Sequence, residues 1–116
     1  MSLEEFLNVL ACIALILFGV YALLCPTDAA GIAHLKLDDS NAVAETRISF
    51  GALSFFMGIA PIVLNQPAAY QVVGIVFLGV FVTRLITTFV DHPQTDRMFI
   101  ISALFELIVG LILLAR

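Results

Sequence analysis

The sequence predicts an all-α protein, a four-helix transmembrane bundle with both termini on the same side. Three observations carry this. Hydrophobic residues make up 62% of the 116 and charged residues 12%, where soluble domains run at about 45–50% and 25%. The mean hydropathy is +1.14. The apolar residues also gather in four runs, at 6–24, 48–64, 69–90 and 99–115. A helix crosses the hydrocarbon core with roughly 17–25 such residues. None of the runs alternates with period two, as barrel strands do, and backbone in lipid must bond within its own segment. The chain therefore reads as one integral membrane domain over residues 1–116. Its composition excludes a disordered segment, a disulfide scaffold, a basic nucleic-acid binder and an ordinary cytosolic enzyme.

The first run is interrupted only by Asn8. The residues before it, Met1 to Glu5, are acidic, where a signal peptide needs positive charge. Leu24 before Cys25 argues against lipoprotein processing, so this span is expected to be retained. The following loop opens with a turn at Pro26-Thr27-Asp28 and continues with small and apolar residues to Leu35. It suits either a short helix at the membrane interface or a compact surface loop. Asp38-Asp39-Ser40-Asn41 can cap the start of the second long helix. In that helix Arg47, Gly51, Ser54 and Gly58 step by four, three and four, one stripe of small residues with a charge at its end. Such stripes let helices approach closely in lipid. Pro61 is expected to kink the helix near its end. Asn65 to Ala68 form a short turn, and 91–98 a second one that leads into the last helix. Tyr21 and Tyr70 sit near span ends, where belt aromatics belong.

Four spans put both termini and the 65–68 turn on one side, and the loops 25–47 and 91–98 on the other. The loop side carries Lys36, Arg47 and Arg97, whereas the terminal side carries Arg116. The positive-inside rule then favours cytoplasmic loops. Neither side has a basic cluster for anionic lipid or nucleic acid.

Two charges fall inside the spans. Arg84 lies seven residues before Asp91, about 10 Å deep, and Glu106 lies nine residues after Arg97, about 13 Å deep from the same side. Each costs on the order of 2.5–3.5 kcal/mol at a helix centre, so an ion pair between the third and fourth helices is the economical arrangement. The faces agree. Ser102, Glu106 and Gly110 share one face of the fourth helix, and Val80, Arg84 and Thr88 share one of the third, with Thr87 alongside. Glu45, Arg47, Arg84, Asp91 and Glu106 are thus expected to gather from three helices toward the loop side. They are either a structural cluster, with Thr87, Ser102 and carbonyls completing its bonds, or a pocket for a small polar or lipid ligand at Arg47, Arg84 and Glu106. Gly51, Ser54 and Gly58 are assigned to helix packing. A proton relay is disfavoured because Arg does not titrate.

Other constellations are weaker. His34, His92 and Cys25 fall near Asp28, Asp38, Asp39 and Asp91, but without HxxxH, CxxC or HExxH spacing, so solvated loop histidines are the simpler reading and no metal site is assigned. Cys12 and Cys25 are separated by about 20 Å of helix and cannot pair. No phosphate loop or nucleophile elbow is present. No catalytic residue and no cofactor is assigned.

Residues 26–58 resemble a bacterial membrane family catalogued as domain of unknown function 4345. The resemblance rests on Pro26 after the first helix, on Glu45-Thr46-Arg47, and on Ser49-Phe50-Gly51 with Gly58 later. Arg84, Asp91 and Glu106 also look like the family. The chain departs from the pattern at Ala52, where a second glycine is common, and at His92, where a Gly is common near the Asp. It resembles more distantly the small DoxX-like four-helix membrane proteins, some of which accompany oxidoreductases. The resemblance implies four helices and a bacterial inner membrane, and no established activity.

The sequence reading is a small multi-pass membrane protein with a structural or accessory role, held by the Arg–Glu cluster, and more in keeping with a non-enzyme. The alternatives are a binding or transport protein and a membrane isomerase-like enzyme using Glu106 or Asp91. Expected partners are membrane lipids and a second copy or a membrane-complex subunit, with no nucleic acid.

Overall fold

A computed structural model describes residues 1–116. It is all-helical, in the order α1 (Leu3–Leu24), α2 (Pro26–Ile32), α3 (Ser40–Leu64), α4 (Pro67–Val90) and α5 (Arg97–Leu114), with no strand. Helices α1, α3, α4 and α5 are each long and apolar enough to cross a membrane. Packing divides the chain into two compact units, one of residues 9–64 and one of 1–8 with 65–116.

Local chemistry fixes the helix ends. At α1, Glu5 N–H donates to Ser2 Oγ (3.2 Å), half of a Ser-x-x-Glu capping box. Glu4 and Glu5 lie in the first turn, where the helix dipole favours negative charge. Cys25 leaves helical geometry (φ −129°, ψ 63°), because the residue before a proline is pushed out of the α region. Pro26 then starts α2 at the position where its missing N–H costs nothing. The loop after α1 thus contains a short helix, one of the two forms expected for it. It stops in a Schellman turn: Leu35 N–H reaches Ala30 O (2.9 Å) and His34 N–H reaches Gly31 O (3.1 Å). His34 occupies the left-handed position (φ 61°) that glycine usually fills.

The second membrane-length helix starts earlier than its apolar run. Asp39 caps it, accepting from Ala42 N–H at 2.8 Å, and the polar segment Ser40–Thr46 carries the helix to residue 48. Over Arg47–Ala52 the turn widens to a π-type geometry, and the N–H of Leu53 bonds Ile48 O, five residues back. Residues four apart no longer superpose across such a turn. Arg47 is consequently exposed while Gly51 is buried, so the charge does not continue the small-residue stripe as its spacing suggested.

Within the unit of residues 9–64, that stripe is where α3 meets α1. Ser54 Oγ donates to Leu15 O across the helices at 2.8 Å. A Cβ on Gly58 would sit 2.5 Å from Cys12 O, and one on Gly51 would sit 2.7 Å from the Leu23 side chain. Gly19 is the matching small residue on α1: a Cβ there would lie 2.5 Å from Phe55 N. Cys12, Leu15 and Ala22 are fully buried along this line. Pro61 lies inside α3 and is buried.

In the other unit, α4 and α5 form a hairpin. Asn65 (φ 51°) ends α3, and Pro67 begins α4. A Cβ on Gly74 would lie 2.5 Å from Leu114 N, and one on Gly110 would lie 2.8 Å from the Leu78 side chain, so the two backbones nearly touch. Tyr70 is buried, 2% exposed, with the Arg116 guanidinium 4.6 Å above its ring. It is a packing residue here rather than a belt aromatic, whereas Tyr21 is exposed. Asn8 is fully buried and donates from Nδ2 to Glu4 O at 2.5 Å.

Replacing Gly58 by Ala forces a carbon into the space of Cys12 O. Overpacking of this kind typically destabilises by about 1–3 kcal/mol, and a lowered SDS-unfolding midpoint would register it. Gly31→Ala, where a Cβ meets nothing within 4 Å, should leave the midpoint unchanged or raise it.

Candidate functional site

Glu106 is buried, 7% exposed, inside α5. Its carboxylate takes a forked contact from α4: Arg84 Nε donates to Oε2 at 2.8 Å and Nη2 to Oε1 at 2.5 Å. Paired, parallel charge-assisted bonds of this kind are the strong geometry for Arg and carboxylate. The guanidinium carbon also stands 5.0 Å from the Phe99 ring centroid, close enough for a cation–π contact. Arg84 is therefore held between an aromatic ring and a carboxylate of the same helix. Phe99 precedes Glu106 by seven residues, two turns along one face. That spacing was the available signal for it.

The hairpin supplies the geometry. Asp96 caps α5 by accepting from Phe99 N–H at 2.9 Å. Asp91 closes α4, its N–H on Thr87 O at 2.8 Å, and His92 follows at φ 49°. Histidine here takes the left-handed conformation that a glycine adopts without strain. Gly110, one turn from Glu106, keeps α5 against α4 at Leu78. The threonines are used differently from the expectation. Thr87 and Thr88 donate to Arg84 O at 2.8 and 2.9 Å, so they satisfy their own helix rather than the ion pair.

Of the five charged residues expected to gather, the structure joins Arg84 and Glu106. Glu45, Arg47 and Asp91 are exposed and form no ion pair. Gly51, Ser54 and Gly58 lie in the α1–α3 contact. No group of three His, Cys, Asp or Glu side chains is placed to hold a metal ion.

Beside Arg84 an open groove of about 560 Å³ runs along α4, lined by Val76, Gly79, Val80, Thr83, Arg84 and Thr87. A Cβ on Gly79 would meet nothing within 4 Å, and Thr83 Oγ1 donates to Gly79 O at 2.8 Å. Glu106 uses the Nε and one Nη2 proton of Arg84. A guanidinium has five N–H bonds, so three remain, and the side chain is 25% exposed.

An all-helical chain with four membrane-length apolar helices and a charged pair within one hairpin is compatible with a small membrane protein. Its family follows from direct comparison: the chain belongs to the family described as domain of unknown function DUF4345, whose family model matches residues 3–115. Neither a curated protein nor a solved structure matches it. The residues that carried the resemblance take definite places. Pro26 starts α2, Arg47 to Gly51 form most of the widened turn of α3, Arg84 and Glu106 make the ion pair, and His92 holds a left-handed turn.

Removing one partner of a buried pair leaves a stranded charge and typically costs about 3–5 kcal/mol. Arg84→Ala should approach the lower end, because Arg84 is partly exposed. Adding Glu106→Gln should recover part of that loss. A double-mutant cycle on SDS-unfolding midpoints measures the coupling, and strict additivity would show that the pair contributes nothing.

Proposed function

We propose that the chain is a small multi-pass membrane protein with a structural or accessory role. In this reading residues 1–116 form one four-span bundle in a bacterial inner membrane, with the termini on one side and the loops 25–47 and 91–98 in the cytoplasm. The observation that carries the role is the closure of the Arg84–Glu106 pair. Both carboxylate oxygens already accept from Arg84, and the guanidinium is backed by Phe99. A carboxylate so engaged serves cohesion better than proton transfer, which needs a base within reach of its substrate. A second reading, binding of a small polar or lipid ligand, is favoured by the groove beside Arg84.

Reversing the pair tests the role. A structural pair tolerates exchange of its ends. Arg84→Glu should destabilise strongly, and Glu106→Arg added to it should restore at least half of the lost unfolding midpoint. A double variant no more stable than Arg84→Glu would remove the structural reading.

Orientation has its own reporter, because Cys25 is exposed and Cys12 is buried. A membrane-impermeant maleimide should label Cys25 in permeabilised cells and leave it unlabelled in intact ones. Labelling in intact cells would place the loop outside.

A further inference from the structure

We propose that the groove on α4 holds one phospholipid of the surrounding bilayer, with a glycerol ester carbonyl at the Thr87–Arg84 end and an acyl chain lying along Val80, Gly79 and Val76. This rests on the second reading above and narrows it to a ligand, a direction and a polarity. The groove has two chemically different ends. Its outer end offers the spare N–H bonds of Arg84, beside Thr87, whose hydroxyl proton is already given to Arg84 O. Its inner end is two valines and a glycine whose missing side chain leaves open space. Thr87 lies three residues from the end of α4, about 4 Å along the axis, where headgroup gives way to hydrocarbon. From Thr87 to Val76 is eleven residues, about 16 Å, a length suited to the upper part of one acyl chain. Arg84 lies one turn below the boundary. Donors at that depth need acceptors, and snorkelling, local bilayer thinning and water defects are the ways intramembrane arginines reach them.

The acceptor is uncharged for a reason visible in the site. Glu106 already neutralises Arg84, so a phosphate would gain the spare N–H bonds and meet a carboxylate of like sign. An ester carbonyl gains the same bonds without that repulsion. Occupancy should thus be indifferent to headgroup charge and to salt. A second copy of the chain packed on this face is less favourable, since the spare N–H bonds of Arg84 would meet the same donors of the other copy and gain no acceptor.

The test uses the full chain in nanodiscs with a phospholipid that carries a diazirine at mid-chain, and peptide mass spectrometry to read the label. Labelling should concentrate on Val76 to Val80. It should be equal for phosphatidylcholine and phosphatidylglycerol, and unchanged between low and high salt. Gly79→Leu fills the groove without displacing a neighbour and should cut this labelling at least fivefold. Thr83→Leu should cut it as well, while Val82→Leu, exposed on α4 outside the groove, should not. Unfolding midpoints of the same samples identify any variant lost to misfolding, and the remaining variants decide. Label spread evenly over all lipid-facing helices, or unaltered in both groove variants, overturns the proposal. So does capture restricted to phosphatidylglycerol and abolished by salt. If diazirine-palmitate is captured and phosphatidylcholine is not, the phospholipid is wrong and the ligand-binding reading survives. If neither lipid probe nor inorganic phosphate binds at the groove, that reading fails too. A Val80→Cys disulfide between copies, formed in a Cys25→Ser background, overturns the proposal in favour of a dimer.

Discussion

A hydroxyl, amide or guanidinium inside an apolar helix has no water to bond, and this constraint organises most of the polar chemistry in the chain. The protein meets it by sending nearly every such donor to an oxygen close at hand. Thr83 bonds Gly79 O, Thr87 and Thr88 bond Arg84 O, and Asn8 bonds Glu4 O. Two donors reach between helices instead. Ser54 joins α3 to α1, and Arg84 joins α4 to α5. Each compact unit therefore has a long-range polar tie of this kind, and each of the two lies beside a place where glycine lets backbones approach. Close approach matters because apolar helices in lipid gain little from burying hydrocarbon and associate through contact and hydrogen bonds.

The widened turn of α3 gives that helix two sectors. Before it, Ser40–Thr46 is a polar helix with an Asp39 cap. After it, Leu53–Leu64 is apolar and packs through its small residues. The change of register lets one continuous helix point Arg47 outward while keeping Gly51 and Gly58 buried. Single π-type turns within α-helices occur often at functional positions, and this one takes in Arg47 and Ser49-Phe50-Gly51, part of the segment by which the chain resembles its family.

Much of this was legible before the fold was known. Apolar run length located four helices, because the thickness of hydrocarbon is an external ruler. The Arg84–Glu106 pair followed from matching depth and helix face, because helical rise and period convert residue counts into position. The Asp39 cap followed from side-chain chemistry. What stayed hidden depended on things that spacing does not encode. The π-type turn broke the four-residue repeat, and with it the placement of Arg47. Gly19 and Gly74 carried no pattern of their own, since a close contact is defined by its partner helix. Phe99 looked like one of ten phenylalanines until Arg84 lay over it, and Tyr70 looked like a belt aromatic until Arg116 covered it. The Asp91, Glu45 and Arg47 side chains share a sign pattern with the buried pair but not its burial.

The sequence separation of the ion pair has a consequence for synthesis. Arg84 and Glu106 are 22 residues apart, and chains grow at about 5–20 residues per second, so the arginine emerges roughly 1–4 s before its carboxylate. During that interval α4 carries an unpaired cation, whose burial in lipid would carry the cost of an intramembrane charge. Because both partners lie in the α4–α5 hairpin, α5 is the segment that neutralises this charge.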